Sequence, residues 1–160
     1  DGTADIGVGT SRAIESKIRE QRLFSDRLAV FCNTDHAFAE RQRVRWMDLQ
    51  GQKLVGFASD NPIQAIINRV LDENQIVTER AFSVNFSTTM LALIDLGQGI
   101  CIAPEHSLRL SVPGGTLVRP LVEPELRRDV VASTLREHTL STSASSLLDT
   151  LISTATSKYR

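Results

Sequence analysis

The sequence has few of the features that mark a secreted or membrane-spanning chain. Its 160 residues include two cysteines, five prolines and only 5% aromatic residues. Cys32 and Cys101 both lie in apolar segments, which argues against a disulfide framework. No apolar run approaches the roughly 18 residues of a membrane span, and no charged-then-apolar leader opens the chain. We therefore expect a cytoplasmic protein with no membrane partner.

Positive charge is not in surplus either. Eighteen basic and nineteen acidic residues give a formal net charge of -1. A protein that binds nucleic acid usually carries excess lysine and arginine, because these displace the counterions of the phosphate backbone. We therefore do not expect this chain by itself to bind DNA.

The sequence also lacks the patterns of catalytic and metal sites. Its three histidines, His36, His106 and His138, are far apart, and none has a cysteine or a second histidine at ligand spacing. A nucleophile elbow, a P-loop and a complete dinucleotide fingerprint are all missing. Gly97-Gln98-Gly99 is better explained as a helix end followed by a tight turn. We expect no catalytic residues, no metal and no cofactor, and thus no enzyme.

Short strands alternate with amphipathic helices along the chain. Asn61 and Pro62 are typical of a helix start, Gln64 suggests a capping box, and the apolar residues from Ile63 to Leu71 recur at helical spacing. Further helices are predicted after a cap at Ser87 or Thr88, and after a cap at Thr142 or Ser143. Strands are predicted at residues 4–8, 23–33, 54–58, 79–85, 100–103 and 129–135. This order predicts an α/β fold with a mainly parallel sheet.

The first strand follows the start of the chain almost at once. A strand as short as residues 4–8 needs partner strands from elsewhere in the sequence. Two explanations stay open: a small domain whose first strand begins here, or a fragment of a longer protein.

Several short segments are informative through their order and spacing. In chain order they are Ala4-Asp5-Ile6-Gly7-Val8, Asp26-Arg27-Leu28-Ala29-Val30, Asp35-His36-Ala37-Phe38-Ala39, Trp46-Met47-Asp48-Leu49-Gln50-Gly51, Leu96-Gly97-Gln98-Gly99-Ile100, Ala103-Pro104-Glu105, Pro120-Leu121-Val122-Glu123-Pro124 and the run from Arg128 to Ala132. Together they resemble the effector-binding domain of LysR-type transcriptional regulators over almost the whole chain. The family usually has Asp-His-Pro-Leu where this chain has Asp35-His36-Ala37-Phe38, so one turn lacks its proline.

The resemblance implies a periplasmic-binding-protein-like fold of type 2, with two lobes joined by crossover segments. Residues 36–122 would form the second lobe, and residues 1–35 and 123–160 would form parts of an incomplete first lobe. In the family the remainder of the first lobe and a DNA-binding helix-turn-helix precede this region. The resemblance thus implies an effector-sensing domain that controls DNA binding by a missing N-terminal part, within a homo-dimer or tetramer. A solute-binding receptor on the same fold is the alternative, and the residues upstream of Asp1 would distinguish the two.

Two predicted strand-to-helix junctions, at residues 58–61 and 85–88, suggest where a small molecule binds. Ligands of open α/β lobes lie at the carboxyl ends of strands, where helix N-termini present unpaired N–H groups. The resemblance places effector contacts at these junctions, and Thr10 is predicted to face the same cleft. The helix dipoles at these junctions favour an anion. The negative charge of Asp60 opposes this preference unless Asp60 binds a hydroxyl or amine of the ligand. Alternatively, the side chains at the junctions serve only as helix caps. The predicted effector-binding residues are Ser59, Asp60, Asn61, Asn85, Phe86, Ser87, Thr88 and Thr10.

Overall fold

The structure is a computed structural model that describes residues 4–11, 16–106 and 114–158. The chain divides into two compact units: Asp1–Asp26 with Arg127–Arg160, and Arg27–Leu126. The strands are β1 (Gly7–Thr10), β2 (Ile18–Asn33), β3 (Val44–Arg45), β4 (Lys53–Phe57), β5 (Glu79–Val84), β6 (Cys101–Pro104), β7 (Thr116–Val122) and β8 (Arg127–Leu135). The α-helices are α1 (Pro62–Glu73), α2 (Ser87–Asp95) and α3 (Thr142–Lys158).

The first unit contains β1, the first part of β2, β8 and α3. Strand β8 lies between β1 and β2, and β1 pairs with it in antiparallel register, with Thr10 opposite Val130. The backbone N–H of Arg136 donates to the carbonyl of Lys17 at 2.9 Å. Residues distant in the sequence therefore form one sheet.

The second unit is built around the remainder of β2. Strands β6 and β7 both pair with β2 in antiparallel register, whereas β3 runs parallel to β7. Strands β4 and β5 form a parallel pair. Leu54 of β4 also forms an isolated parallel bridge with Ile100, the residue before β6. In this part of the chain a strand–helix–strand order and parallel pairing occur together, because a parallel connection needs a crossover.

Two apolar clusters cover the opposite faces of this unit. Alternate residues of a strand point to opposite faces, so Val30 and Cys32 join one cluster while Ala29 and Phe31 join the other. Helix α1 packs on the first cluster through side chains that include Ile67. The helix α2 residues Met90, Leu91 and Ile94 pack into the second. Each helix therefore buries one apolar stripe and leaves its N-terminus at an edge of the sheet.

The buried thiols follow the same alternation. Cys32 belongs to the first cluster and Cys101 to the second, and both are free and buried. Burial raises the pKa of each thiol, and the effect is larger for Cys101. Both cysteines thus occupy structural positions in the core.

The expectation of a mainly parallel sheet is wrong. The pairs β1–β8, β2–β6 and β2–β7 are all antiparallel. Strands β2 and β8 pair with strands from distant parts of the chain, rather than with a strand connected to them through a helix. The first strand is also shorter than expected, beginning at Gly7 rather than Ala4, and β2 is longer, beginning at Ile18. Strands β3 and β7 were not predicted as strands at all.

The boundaries of the two units differ from the lobe boundaries implied by the resemblance. The units meet in sequence at Asp26/Arg27 and at Leu126/Arg127, not after residues 35 and 122. The assignment of the units to lobes stays a prediction. No helix in the described part of the chain is long and apolar enough to cross a membrane.

Candidate functional site

Two loops meet at the carboxyl end of the parallel β4–β5 pair. Because the strands run in the same direction, the residues that follow Phe57 and Val84 emerge at one edge. The N–H of Ala58 donates to the carbonyl of Val84 at 3.1 Å and joins the two loops. A cavity of about 280 Å³ lies there, lined by Ala58, Asp60, Asn61, Val84 and Asn85. The structure therefore brings the two predicted junctions together.

The first junction is a capped helix start. Asn61 Oδ1 accepts a hydrogen bond from the N–H of Ile63 at 2.9 Å, and the N–H of Asn61 donates to the carbonyl of Ala58 at 3.0 Å. Ser59 and Asp60 are exposed beside this turn. The Asn61 oxygen is thus used by its own helix, as the capping interpretation requires, while its amide NH₂ stays available at the cavity.

A buried glutamine fixes the position of this junction. The predicted capping box does not form, because the Gln64 amide turns inward instead and is only 3% exposed. Its Oε1 accepts from the N–H of Phe57 at 2.9 Å, and its Nε2 donates to Asn68 Oδ1 at 2.8 Å. Gln64 therefore ties the first turn of α1 to the last residue of β4.

The second junction has no side-chain cap. The N-cap of α2 is Phe86, with extended backbone angles and no hydrogen-bonding side chain, and Ser87 is the first helical residue. The prediction that Ser87 or Thr88 caps this helix is therefore wrong. Both hydroxyls lie inside the first turn instead. The first N–H groups of α2 thus have no side-chain acceptor from the cap, and this end of the helix favours an anion.

Phe86 also differs from its surroundings in exposure. It is 71% exposed, whereas Met90, Leu91 and Ile94 of the helix that follows are buried. Asn85 and Thr88 beside it are exposed as well. The junction therefore presents an aromatic ring, an amide and a hydroxyl to solvent.

Thr10, the remaining predicted contact, lies in the first unit as the last residue of β1. Its hydroxyl oxygen accepts a hydrogen bond from Arg128 Nη1 at 2.9 Å. Arg128 Nη2 also lies 3.6 Å from Oδ2 of the fully buried Asp26. Burial lowers the pKa of the Arg128 guanidinium, and the charge of Asp26 opposes that shift. The Thr10 O–H is left as a donor.

Sequence reasoning assigned no role to Arg128 or Asp26, although both fall in the segments that carry the family resemblance. The available signal was a charged residue within an apolar strand segment, since Asp26 precedes the apolar run 28–32. A charge there is rarely stable without a partner.

Another cavity, in the second unit, is lined by acidic side chains instead of by the N-terminus of a helix. It measures about 350 Å³ and lies at the C-terminal end of α2, lined by Asn33, Asp35, His36, Asp95, Leu96, Gly97 and Gly99. Asp95 Oδ1 is buried there without a hydrogen-bond partner in the described structure. Burial lowers the pKa of His36, which favours its neutral form. Two carboxylates and a helix C-terminus disfavour an anion, so this cavity does not compete for one.

Residues 16–106, together with 4–11 and 114–158, contain no cluster of histidine, cysteine or acidic side chains that could hold a metal ion. The available chemistry at the β4–β5 edge is therefore that of hydrogen bonds, a helix dipole and one carboxylate.

Comparison with known proteins identifies the family. Residues 1–156 match the family described as the LysR substrate binding domain. The chain is 26% identical over 149 residues to YbhD, an uncharacterized HTH-type transcriptional regulator of Escherichia coli K12. The aligned region covers 93% of this chain and 47% of that protein. The chain spans about half the length of the curated relatives it matches.

Solved structures share the fold at low sequence identity. The regulatory domain of CcmR from Synechocystis PCC6803, in complex with 2-PG, matches with a TM-score of 0.87 and 14% identity over 99% of this chain and 76% of that one. The effector-binding domain of QuiR, in complex with shikimate, matches with a TM-score of 0.83 and 19% identity over 98% of this chain and 74% of that one. These domains have the periplasmic-binding-protein fold of type 2. The chain therefore belongs to the LysR substrate-binding domain family and is the effector-binding domain of a LysR-type transcriptional regulator.

Proposed function

We propose that this domain senses a small anionic molecule at the β4–β5 edge. The observation that carries the proposal is the uncapped N-terminus of α2 beside a cavity lined by Asp60, Asn61 and Asn85. The domains of CcmR and QuiR were solved with 2-PG and with shikimate, which supports an anion as the class of effector.

The anion would be bound by backbone and amide donors rather than by a cation. The first turn of α2 offers N–H groups, and a helix dipole contributes about 0.3–1 kcal/mol toward an anion before hydrogen bonds are counted. Asn61 adds its amide NH₂, because its oxygen already accepts from Ile63. A hydrogen bond to a charged group contributes about 1.5–3 kcal/mol.

Asp60 restricts which anions are suitable. Its carboxylate lines the cavity and repels a second negative group in the ligand. A hydroxyl or amine on the effector would instead donate to it. The proposal is therefore for a carboxylate or phosphate that also carries a hydrogen-bond donor, with its apolar part near the exposed ring of Phe86. Thr10 stays a predicted contact, since its surroundings are described only within the first unit.

The remainder of the proposed function concerns a longer protein that would contain this domain. We infer a cytoplasmic regulator in which effector binding changes DNA binding by an N-terminal helix-turn-helix, in a homo-dimer or tetramer. The HTH-type regulators that match this chain over about half their length support this inference. The family match gives no support to the alternative of a solute-binding receptor.

The test is calorimetric titration of the full-length regulator. Shikimate and 2-PG are screened first, and the one that binds is titrated into Ser59→Ala, Asn85→Ala and Thr88→Ala. Loss of one hydrogen bond to an anion weakens binding by about tenfold or more. The control is Thr154→Ala, an exposed threonine of α3 in the other unit, which should keep the wild-type affinity. Unchanged affinity in all three variants, with folding intact, would show that these three side chains do not bind the effector and would contradict the proposed site.

A further inference from the structure

The loop from β4 to α1, residues 58–61, is attached to the first turn of α1 at both of its ends. Before the loop, the N–H of Phe57 donates to Gln64 Oε1 at 2.9 Å. At its end, Asn61 Oδ1 accepts from the N–H of Ile63 at 2.9 Å. We propose that Gln64 is a positioning residue of the effector site, which sets the affinity for the effector through this loop. The inference rests on the function proposed above.

Gln64 acts on the site through other residues. Its side chain is buried, and the described lining of the cavity at the β4–β5 edge does not include it. Three of the five lining residues belong instead to the loop 58–61 that Gln64 helps to hold. A change in the Gln64 amide therefore removes no contact with an effector and alters binding only by moving the loop.

The orientation of the Gln64 amide is fixed by a chain of hydrogen bonds. Arg80 can only donate, and its Nη2 donates to Asn68 Oδ1 at 3.4 Å. The same oxygen accepts from Gln64 Nε2 at 2.8 Å. Because the NH₂ group of Gln64 faces Asn68, its oxygen is the atom that faces the N–H of Phe57. The order of donors and acceptors thus specifies one orientation of the amide.

The residue before Phe57 leaves room for this amide. A Cβ at Gly56 would lie 2.8 Å from Gln64 Oε1 and 3.3 Å from Gln64 Cδ. A larger residue at position 56 would therefore push the Gln64 oxygen away from the N–H of Phe57. Glycine allows such a close approach because it has no side chain. Gly56 and Gln64 thus form one contact at the point where the loop begins.

A loop that is held at both ends is ordered before the ligand arrives. The N–H of Ala58 also donates to the carbonyl of Val84 at 3.1 Å, which ties the loop to the end of β5. Ordering of this kind lowers the entropy cost of binding. If the Gln64 amide is displaced, the first end of the loop is released while the Asn61 cap remains. We therefore expect weaker binding of the effector.

The main test is the Gln64→Glu variant, which makes the hydrogen bond to Asn68 depend on pH. A protonated carboxyl accepts from Phe57 and donates to Asn68 as the amide does, whereas the ionised form cannot donate. Burial raises the pKa of a carboxyl at this position, and the exposed Arg80 guanidinium opposes that shift. The variant should therefore lose the native pattern as the pH rises from about 5 to about 9.

Calorimetry of the full-length regulator measures the affinity across this pH range, with shikimate or 2-PG as the probe, whichever binds the wild type. Relative to the wild type at the same pH, Gln64→Glu should bind equally well at the acidic end and about tenfold more weakly at the alkaline end. Gln42→Glu, at an exposed glutamine of the same unit, is the matched control and should follow the wild type at every pH.

Hydrogen exchange of the ligand-free regulator reads the loop directly and does not depend on which effector binds. At the alkaline end, the amides of Ala58 and Asn61 should exchange faster in Gln64→Glu than in Gln42→Glu. Faster exchange confined to Phe57, whose N–H loses its ordered acceptor, would show a local structural role and would contradict the positioning role.

Gly56→Ala tests the same contact from the strand side. It should weaken binding by about tenfold at every pH, and it should add little in the background of Gln64→Ala, because both changes act on one contact. Fully additive losses would contradict a shared role.

The outcomes separate this inference from the function on which it rests. If Ser59→Ala, Asn85→Ala and Thr88→Ala all keep the wild-type affinity, the proposed effector site is wrong and the inference falls with it. If those variants lose affinity while Gln64→Glu follows the wild type across the pH range, the site stands and the positioning role of Gln64 is overturned.

Discussion

The two helix starts of the second unit look alike in sequence but differ in chemistry. Each follows a strand of the parallel pair, and each has hydroxyl and amide side chains close to its first turn. At α1, Asn61 satisfies its own helix and Gln64 anchors the first turn. At α2, Phe86 occupies the cap position and leaves the first N–H groups without a side-chain acceptor. Polar composition alone therefore does not predict whether a helix start is capped by a side chain, and our proposal of an anion site depends on the uncapped start of α2.

The largest effect is expected at the buried anchor of α1. Replacing Gln64 by leucine removes the acceptor of the Phe57 N–H and leaves that N–H unsatisfied in the core. We expect the free energy of unfolding to fall by about 2 kcal/mol. Urea unfolding measures it, and Gln42→Leu, at an exposed glutamine of the same unit, should change stability little. An equal effect of the two substitutions would show that Gln64 is not an anchor.

A smaller effect is expected at the cap itself. Asn61→Ala removes the acceptor of the Ile63 N–H and should reduce the stability by about 1 kcal/mol. The same urea experiment measures it, with Asn85→Ala as the matched change at the junction that has no asparagine cap. Comparable losses at both positions would contradict the distinction between the two junctions.

The smallest effect on stability, and of opposite sign, is expected when α2 receives a cap. Phe86→Ser places a hydroxyl acceptor at an N-cap whose backbone is already extended, and the lost ring is mostly exposed. We expect a gain of about 0.5–1 kcal/mol in unfolding free energy. The new hydroxyl would also compete with an anion for the same N–H groups, so the affinity for the bound effector should fall in calorimetry.

The reverse pattern would break the comparison. If Phe86→Ser destabilised the domain and left effector affinity unchanged, the first N–H groups of α2 would have other acceptors, and the anion would bind elsewhere.

The sequence predicted some elements well and others poorly, for identifiable reasons. Helix α1 was predicted from its cap, its proline and its apolar stripe, all of which are local signals. The turn after α2 was also correct: Gly97 and Gly99 have positive φ angles, and a Cβ at Gly99 would meet the carbonyl of Lys53 at 2.5 Å. Strands β3 and β7 were missed because their pairing depends on distant residues. The predicted cap of α2 was wrong because the helix begins at Ser87, the first hydroxyl residue, rather than after it.

The family and the absence of an enzymatic role were recognisable from the sequence, and the match over residues 1–156 confirms both. The order of short segments was sufficient, since each segment marks a strand end or turn whose position the fold fixes. The pairing of β2 with β8 was not predictable in this way. Arg136 donates to the carbonyl of Ile18, which lies 118 positions earlier in the sequence, so no local pattern relates the two residues.

The sequence by itself determined the local elements, the alternation of buried and exposed side chains, and the family to which the chain belongs. These depend on dihedral preferences and on apolar spacing, which act over a few residues. Only the tertiary structure decided the strand directions and the inward turn of Gln64. The directions depend on which distant strands pair, and Gln64 turns inward because the N–H of Phe57 in the neighbouring strand needs an acceptor.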